Sequence, residues 1–552
     1  MRAEVIAEGQ FLKRGAYPAT IGGLLRESMQ RHPEKVAVIA WRGPEMLQLT
    51  YAGLDAAANR VANALVREGY AKPGTQVSQQ GSPGSGTRLA ILAPNDLDYP
   101  VVYFGAARAG CPLAHISTRT DAASRGAMLQ RVDAEVLFVH RAFADEARNL
   151  MTSVATLKRI VVIGGADGPD GPDSLEDFIG AAEDCDPPVT IDPDDPAAIT
   201  FSSGSTGEPK GIYVSHRSRA LSSSIGSTTF EFLDDDILGC TTPLFHVAGL
   251  FLWFQVGIRR GNTVILLPKW APDAFADAVE KQHVTAAFLV PTQVTALLND
   301  PESAARARGL RFLNISGAPV QTALLQRAIE AWPNTEIVEH YGQSEACPLA
   351  YRPAAFNATK PTSVGRPCAD LAVLDAQGRP LPPGETGEVA TRGDHLLIGY
   401  IGDDDGMRDL LAGDGWMRTG DVGRFDADGF LHLIDRSKDI IISGGENIFP
   451  TEIERALYQH PAVMECAVFG VPHDEWGEVP AAHVVTVSDG AAGLANGIPD
   501  EAALIAFVET KIPRYKRPRF IKFVDDLPRT AIGKIQKNVI RAEYWQGRER
   551  AI

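Results

Sequence analysis

The residues best suited to hold phosphate form one short run, SSGSTGEPKG, at positions 202–211. Glycines let backbone N–H groups approach an anion, hydroxyls donate hydrogen bonds, and Lys210 adds a positive charge. The run does not satisfy the pattern G-x-x-x-x-G-K-[ST], because Gly207 is followed by Glu-Pro and Lys210 by Gly. It lies between the apolar stretches 197–201 and 212–214, which is typical of a loop that joins two strands. We therefore expect a phosphate-binding loop, but one that differs from the loop of enzymes that transfer the γ-phosphoryl group.

Charged residues elsewhere could act with this loop, although each alone has an ordinary structural explanation. Asp421 fits a turn, Lys534 fits an exposed surface, and His246 fits a hydrogen-bonded core histidine. Glu345 fits the first turn of a helix. Its segment GQSEA nearly matches a hydrolase nucleophile elbow, but the last position is Ala346 instead of glycine. The chemistry must therefore be inferred from several motifs together.

Eight motifs, in their order along the chain, resemble those of the adenylate-forming enzymes. This superfamily includes acyl-CoA synthetases, adenylation domains of peptide synthetases and beetle luciferases. The similar segments span nearly the whole chain and are SSGSTGEPKG (202–211), PLFH (243–246), SGAP (316–319), HYGQSE (340–345), GWMRTGD (415–421), DRSKD (435–439), SGGEN (443–447) and PRTAIGK (528–534).

The resemblance implies an AMP-forming acid–thiol ligase that works in two half-reactions. A carboxylate attacks the α-phosphorus of ATP, which gives an acyl-adenylate and pyrophosphate. A thiol, that of coenzyme A, then displaces AMP and forms a thioester. Since carboxylate and triphosphate are both anionic, the first step needs charge neutralisation and alignment more than acid–base catalysis.

The resemblance also assigns roles to individual residues. It implies that Lys534, Glu345, Thr206 and His246 are catalytic, with Lys534 between the substrate carboxylate and the α-phosphate. It places Mg²⁺ on Thr206 and Glu345, since a hard cation suits oxygen ligands. The residues it implies at the nucleotide are Ser202, Ser203, Gly204, Ser205, Thr206, Gly207 and Lys210 for the phosphates, Gly317, Ala318, Pro319, His340, Tyr341, Gly342 and Ser344 around adenine, and Asp421 and Arg436 at the ribose.

The two half-reactions need different surfaces at one site, and the resemblance implies that a small C-terminal domain rotates between them. Lys438 aligns with the hinge, and a hinge residue absorbs φ/ψ change without having to be small. Gly444 and Gly445 would enter after rotation, with Gly445 against the pantetheine of coenzyme A. We expect an N-terminal AMP-binding and acyl-substrate domain at 1–435 and a mobile lid domain at 436–552.

Hydrophobic periodicity independently predicts an α/β protein. Apolar residues recur at helical spacing over 51–68, and short apolar runs such as 89–93 read as buried strands. Short strand-like segments follow residue 365, with a hairpin turn at 426–429, and a small α+β unit follows residue 439. Together with the resemblance, which implies the distorted β-barrel and the mobility of the last domain, the expected fold is a large N-terminal domain of helix-flanked sheets plus a distorted β-barrel, with a small mobile α+β C-terminal domain.

Net charge and cysteine content limit the kinds of binding partner and the cellular compartment that we expect for this protein. The 552 residues carry a net charge of −16, which disfavours general affinity for nucleic acid. We expect no secretory signal and no integral membrane segment, and the scattered cysteines fit a reducing cytoplasm. We expect a cytoplasmic enzyme whose partners are a small carboxylic acid, ATP and coenzyme A, and a homodimer is compatible with this expectation. A Gly/Ser-rich insertion at 79–87 is expected to be a surface loop.

The acyl pocket is expected to be built from 244–256, 315–320 and 340–350. No Arg or Lys lies inside these segments, which favours an aromatic or medium-chain monocarboxylic acid. A short dicarboxylate ligase of the malonate type remains an alternative, because the run 536–538 resembles such enzymes. Loading of a carrier protein in trans, a light-emitting oxygenase of the same fold and a degenerate nucleotide-binding protein are further alternatives. Intact Lys210, Glu345, Asp421, Arg436 and Lys534 disfavour the last.

Overall fold

The computed structural model describes residues 17–72, 86–165, 173–203, 209–487, 499–529 and 535–546. The chain divides into two compact units. The first contains residues up to Leu371 together with Thr391–Met417, and the second contains Ala372–Ala390 together with residues from Arg418 onward. The α/β fold class, with several sheets, a large N-terminal domain and a smaller C-terminal domain, is confirmed.

The strands of the described residues are short, and apolar where they are buried. They are β1 Val36–Arg42, β2 Glu45–Thr50, β3 Leu89–Leu92, β4 Leu113–His115, β5 Val136–His140, β6 Arg159–Ile163, β7 Pro196–Ser203, β8 Pro209–Ser215, β9 Ile237–Cys240, β10 Thr263–Leu266, β11 Ala286–Leu289, β12 Phe312–Ile315, β13 Glu336–Gln343, β14 Ala346–Arg352, β15 Arg366–Pro367, β16 Asp370–Leu374, β17 Gly387–Arg392, β18 Gly399–Tyr400, β19 Met417–Phe425, β20 Leu431–Arg436, β21 Ile441–Ser443, β22 Glu446–Ile448, β23 Val463–His473, β24 Gly477–Thr486 and β25 Ile521–Phe523.

The helices often begin at a residue whose side chain caps the first turn, as Thr50 does by accepting a hydrogen bond from the N–H of Gly53. They are α1 Ile21–Arg31, α2 Tyr51–Arg67, α3 Asp98–Ala109, α4 Ala122–Arg131, α5 Ala144–Ser153, α6 Leu175–Ile179, α7 His216–Thr229, α8 Gln255–Arg260, α9 Pro272–Gln282, α10 Pro291–Leu298, α11 Pro301–Arg306, α12 Thr322–Ala331, α13 Asp404–Leu410, α14 Pro450–Leu457, α15 Glu501–Glu509 and α16 Lys537–Ala542. Within the described ranges, no helix is both long enough and apolar enough to cross a membrane.

Two sheets form the first unit. The nine-stranded sheet has the order β15-β14-β13-β12-β11-β9-β10-β1-β2, and the strands from β13 to β1 in this order pair in parallel. The seven-stranded sheet has the order β18-β8-β7-β4-β3-β5-β6. In such parallel sheets, ligands bind beyond the carboxyl ends of the strands. The candidate residues of the first unit should therefore be sought at those ends.

Smaller sheets form the rest of the chain. The order β16-β17-β19-β20 makes a four-stranded sheet from the short strands that the sequence predicts after residue 365. A five-stranded sheet has the order β22-β21-β24-β23, with β25 paired to β24. Its core packs residues of α14 and α15, among them Ile453, Leu457 and Leu504, against apolar side chains of these strands. The domain boundary near residue 435 stays a prediction.

Candidate functional site

The turn after β12 lies beside the strand that carries the HYG motif, because β12 and β13 are parallel neighbours. Gly317, in this turn, has φ +88°, a left-handed conformation that glycine adopts without the strain of a Cβ. The hydroxyl of Ser316 accepts a hydrogen bond from the backbone N–H of His340 at 2.8 Å. The predicted adenine segments 316–319 and 340–344 are therefore brought together by the sheet.

A buried network of hydrogen bonds holds these two segments together. The Ser316 hydroxyl donates to Oδ1 of Asn314 at 2.7 Å, and Nδ1 of His340 lies 3.1 Å from the same oxygen. The His340 ring also lies between Phe230 and Phe288, with ring centroids 5.7 Å away in each case. Burial lowers the pKa of His340 to about 3, so the imidazole is neutral at physiological pH. His340 can therefore offer a hydrogen bond to a ligand but no charge.

The segment that carries His246 follows β9 and is fixed by Asn95. The Asn95 side chain donates to the carbonyls of Cys240, Thr242 and Leu267 at 3.1 to 3.3 Å, and its oxygen accepts from the N–H of Leu244 at 2.8 Å. Nδ1 of the half-buried His246 accepts from the backbone N–H of Ala248 at 3.2 Å. Asn95 therefore determines the path of the chain just before His246.

Residues Ala248–Phe254 then form a π-helix, a form that is frequent at functional sites. Its aromatic side chains pack in different directions, as their neighbouring positions predict. Phe251 contacts Tyr103, Phe254 contacts Phe104, and Trp253 contacts several aromatic rings, among them Phe288 of β11. Only part of this aromatic run can therefore face an acyl group.

Gly249 allows the π-helix to begin against the preceding backbone. A Cβ at this position would lie 2.7 Å from the carbonyl oxygen of Thr242 and would collide with that of Pro243. We predict that Gly249→Ala lowers the free energy of unfolding by about 1–3 kcal/mol, because backbone must move to accept the methyl group. Thermal unfolding would measure this. Gly126→Ala in α4, where the Cβ would meet only Leu150 at 3.4 Å, should leave stability unchanged or slightly raised.

Lys210 and Glu345 meet the same tyrosine. Nζ of Lys210 lies 5.2 Å from the centroid of the Tyr400 ring, and the Tyr400 hydroxyl donates to Oε1 of Glu345 at 2.9 Å. Glu345 occupies the tip of the hairpin between β13 and β14 and is not in a helix, the alternative that the sequence left open. Tyr400 lies in β18, which pairs with β8 in the register Tyr400↔Ile212. This pairing brings Tyr400 close to Lys210 of β8. The end of the predicted phosphate loop is thereby linked to the predicted magnesium ligand.

Lys210 also forms an ion pair, with Oδ2 of Asp403 at 2.9 Å. The hydrogen bond from Lys210 lowers the pKa of Asp403, so this carboxyl is ionised at neutral pH. A bound triphosphate would have to share Lys210 with Asp403 or displace Asp403 from the ion pair.

Glu345 could serve in a magnesium site where substrate phosphates supply the other ligands. Its hydrogen bond to Tyr400 engages Oε1, and a carboxylate offers a second oxygen and further lone pairs. Among the residues that the structure describes, no group of three or more His, Cys, Asp or Glu side chains could hold a metal. Mg²⁺ commonly binds one or two carboxylates together with substrate phosphates, so a single glutamate is compatible with it.

In the second unit, Asp421 and Arg436 lie opposite each other on the antiparallel strands β19 and β20. Nε of Arg436 is 2.9 Å from Oδ1 of Asp421, whose side chain is buried. The exposed Lys438 follows in a short turn. The register of one hairpin therefore places the two predicted ribose residues in contact.

Gly444 and Gly445 form the two-residue turn between β21 and β22, with φ +59° and +87°. Such a hairpin turn needs positive φ at both positions, which explains two consecutive glycines without a ligand. A Cβ at Gly444 would also meet the Trp476 ring at 2.9 Å or closer, whereas one at Gly445 meets nothing within 4 Å. The turn geometry thus accounts for both glycines, and the contact of Gly445 with pantetheine stays a prediction.

Several predicted site residues lie outside the described residues. These are Gly204, Ser205, Thr206 and Gly207 of the phosphate loop, and Lys534. Most of the insertion 79–87 also lies outside them. The strands that flank the loop are described, and their register pairs Ser203 with Pro209 and Ser202 with Lys210. The loop therefore connects two antiparallel strands, as its apolar flanks predict.

Sequence reasoning missed Asn95, Tyr400 and Asp403. Asn95 follows the apolar run of β3 and looks like a strand end, while Tyr400 and Asp403 lie in the unassigned segment GYIGDDD. The feature of the sequence that could have indicated these two residues is a glycine-tyrosine pair before an acidic run. Their proximity to Lys210 follows only from the pairing of β18 with β8.

Comparison with known proteins identifies the family of the chain. The family described as AMP-binding enzyme matches residues 25–401, and the AMP-binding enzyme C-terminal domain matches 452–534. A feruloyl-CoA synthase from Amycolatopsis sp is 34% identical over 500 residues, 90% of this chain and 94% of that protein. An indoleacetate–CoA ligase from Aromatoleum aromaticum is 32% identical over 525 residues, 94% and 97% of the two chains.

A solved structure of similar fold is ATP-bound MatB from Rhodopseudomonas palustris. It superimposes with a TM-score of 0.83 at 28% sequence identity and covers 96% of this chain and 99% of its own. The family match spans most of the chain, and two relatives above 30% identity are covered almost completely. The chain therefore belongs to the AMP-binding enzyme family, which confirms the resemblance of its motifs to the adenylate-forming enzymes.

Proposed function

We propose that this protein is an ATP-dependent carboxylic acid–CoA ligase that acts through an acyl-adenylate and releases AMP and pyrophosphate. The observation that carries the proposal is the contact of Tyr400 with both Lys210 and Glu345. It joins a cation at the end of a Ser/Gly loop to a carboxylate beside the HYG strand. Such an arrangement suits a triphosphate with its counter-ion.

The residues of the first unit would hold the nucleotide in a defined direction. Lys210 and the hydroxyls of the phosphate loop would contact the β- and γ-phosphates. Glu345 and Thr206 would hold Mg²⁺, which would neutralise part of the triphosphate charge when bound. The turn at Gly317 and the ring of Tyr341 would lie on either side of adenine. The segment that carries His246 would then lie beside the acid.

Asp421, Arg436 and Lys534 would complete the first half-reaction. Asp421 would accept hydrogen bonds from both ribose hydroxyls, since a carboxylate has two oxygens. Arg436 would help at the ribose. Lys534 would stabilise the charge that builds between the attacking carboxylate and the α-phosphate.

The acid is proposed to be aromatic or of medium chain length. The similarity to a feruloyl-CoA synthase and an indoleacetate–CoA ligase supports an aromatic acid. The aromatic rings of the π-helix support a large apolar group. We further propose that the enzyme acts in the cytoplasm and that it forms a homodimer. Light scattering, which measures the mass of the particle in solution, tests the homodimer.

Pyrophosphate release with a panel of acids, with and without coenzyme A, tests the function. We expect release that depends on the acid, and formation of AMP and a thioester when coenzyme A is added. Absence of acid-dependent release would contradict every ligase assignment. Release that never leads to a thioester with coenzyme A would instead favour loading of a carrier protein.

Tyr400 is expected to position Glu345 without touching the reacting atoms. We predict that Tyr400→Phe lowers kcat about tenfold and raises the Mg²⁺ concentration needed for half-maximal rate, because Glu345 loses a hydrogen bond to a charged group. Steady-state rates against Mg²⁺ concentration measure this. Tyr400→Leu, which also removes the ring beside Lys210, should raise the KM for ATP as well. An unchanged Mg²⁺ dependence in Tyr400→Phe would show that the hydroxyl has only a structural role.

A further inference from the structure

The cation at the end of the predicted phosphate loop is already paired with a carboxylate of its own chain. Nζ of Lys210 lies 2.9 Å from Oδ2 of Asp403, and each side chain is 32% exposed. A ligand that binds at this surface can therefore reach both partners of the ion pair. Asp403 follows Lys210 by 193 residues, so the contact depends on tertiary structure.

Backbone pairing and a helix cap hold Asp403 in this place independently of Lys210. β18 pairs with β8, and the N–H of Ile401 then donates to the carbonyl of Gly211, next to Lys210, at 2.8 Å. Oδ1 of Asp403 accepts from the N–H of Gly406 at 2.8 Å and so caps the first turn of α13. The capping oxygen would keep its partner if Lys210 turned to another anion.

The carboxylate of Asp403 is the same kind of partner for Lys210 as a phosphate oxygen. Hydrogen bonds from Lys210 and from the N–H of Gly406 lower the pKa of Asp403, so its carboxylate is charged at neutral pH. An ammonium group has three N–H donors and could contact two anions at once. Two anions held side by side repel each other, however, and the net charge of −16 adds to the repulsion. A triphosphate therefore gains full use of Lys210 only when Asp403 gives it up.

The position of the ion pair gives it more significance than its strength does. Exposed ion pairs contribute little to stability. The Tyr400 ring lies 5.2 Å from Nζ of Lys210, and the Tyr400 hydroxyl donates to Glu345, the predicted magnesium ligand. Asp403 therefore acts on a lysine that lies beside the proposed position of the triphosphate, while Asp403 itself is not among the residues proposed to bind nucleotide.

We propose that Asp403 competes with the β- and γ-phosphates of ATP for Lys210. The carboxylate holds the lysine in the absence of nucleotide, gives it up when the triphosphate binds, and takes it back as pyrophosphate leaves. Asp403 is thus a positioning residue that weakens the binding of triphosphate and pyrophosphate and favours release of the product. This inference rests on the proposed function, since it concerns the phosphate-binding lysine of that same site.

Equilibrium binding to the intact protein tests the competition directly. The probes are α,β-methylene-ATP, an analogue that is not cleaved between the α- and β-phosphates, and AMP, each titrated with Mg²⁺ present in a calorimeter. Asp403→Asn removes the charge but keeps an oxygen that can cap α13. We expect it to lower the Kd of the analogue about two- to fivefold, the factor that an exposed ion pair represents. The Kd of AMP should stay unchanged, because AMP has no β- or γ-phosphate for Lys210 to contact.

Inhibition of AMP formation by added pyrophosphate gives a second measurement. Half-maximal inhibition of Asp403→Asn should need about two- to fivefold less pyrophosphate than inhibition of the wild type, because Asp403 no longer withdraws Lys210 from the product. The KM for ATP should fall, and kcat should not rise. A carboxylate with only a capping role would leave these constants unchanged, since Asn caps a helix as well as Asp does.

Two variants control for charge and for capping. Asp403→Glu keeps a negative charge within reach of Lys210, and we expect a Kd for the analogue close to that of the wild type. Asp300→Asn removes one charge from another half-buried capping residue, which accepts from the N–H of Ser303 at 3.4 Å at the start of α11. It should change neither Kd. Should Asp403→Asn not accumulate as folded protein, Asp403→Ser decides by the same two Kd values, because serine caps a helix but is too short to reach Lys210.

Unchanged or weaker binding of the analogue by Asp403→Asn would overturn the inference. Equal tightening of the analogue and of AMP would also overturn it, because that result indicates only a general effect of charge. Both results would leave the ligase function intact. If the wild type binds the analogue but activates no acid of a broad panel, the proposed function fails, and the two Kd values still decide the role of Asp403. A wild-type protein that does not bind the analogue would contradict both.

Discussion

Replacing Lys534 with alanine is expected to abolish acyl-adenylate formation and to spare the second half-reaction. The lysine would stabilise charge only while the carboxylate attacks the α-phosphate. The loss of such a group from an active site costs about 100- to 1,000-fold in rate. Thioester formation from supplied acyl-AMP and coenzyme A needs no attack on ATP. We therefore expect that rate to stay within a few-fold of the wild type.

Two assays separate the half-reactions in this experiment. Acid-dependent exchange of labelled pyrophosphate into ATP reports the first, and consumption of synthetic acyl-AMP with coenzyme A reports the second. Lys522→Ala, in the exposed part of β25, is a control for the loss of a lysine charge from the same unit. If Lys534→Ala lowers both rates equally, alternation between two arrangements is wrong for this protein.

Replacing Lys438 with proline is expected to have the opposite effect. Lys438 lies in the short turn Ser437–Asp439 between β20 and β21, and its carbonyl accepts a hydrogen bond from Arg541 at 3.3 Å. Proline fixes φ and removes the N–H, so it restricts the change of backbone angle that a hinge must make. Adenylate formation should continue, whereas thioester formation should fall by about 100-fold, the scale of a catalytic arrangement that is no longer completed.

The control for this variant is Lys438→Ala, which removes the same side chain but leaves the backbone free to rotate. It should keep both half-reactions within a few-fold of the wild type. Equal loss of thioester formation in the alanine and proline variants would mean that the Lys438 side chain matters, and not backbone rotation at this position.

Local patterns predicted much of the fold because secondary structure depends on short-range periodicity and capping. The helical spacing over 51–68 corresponds to α2, Tyr51–Arg67, and the hairpin turn at 426–429 joins β19 to β20. The apolar flanks of SSGSTGEPKG correspond to the antiparallel strands β7 and β8. The π-helix at Ala248–Phe254 was not predicted, since its apolar sequence is compatible with any buried element.

The candidate site was predictable where its residues belong to motifs of fixed order. Ser316 and His340 lie in two such motifs, and parallel pairing of β12 with β13 brings them into contact. Asn95, Tyr400 and Asp403 were not predictable in this way. Each acts on a partner far away in the sequence, and only strand pairing shows which partner that is.

The sequence by itself determined the family, the order of the motifs and the residue types available for nucleotide chemistry, because these depend on which side chains are present. Tertiary structure alone decided which of them touch. It linked Lys210 to Glu345 through Tyr400, and it placed the carboxylate of Asp403 against the same lysine, 193 residues away along the chain. Charge inside a protein acts on what lies within a few ångströms, and that neighbourhood is set by the packing of elements that are distant along the chain.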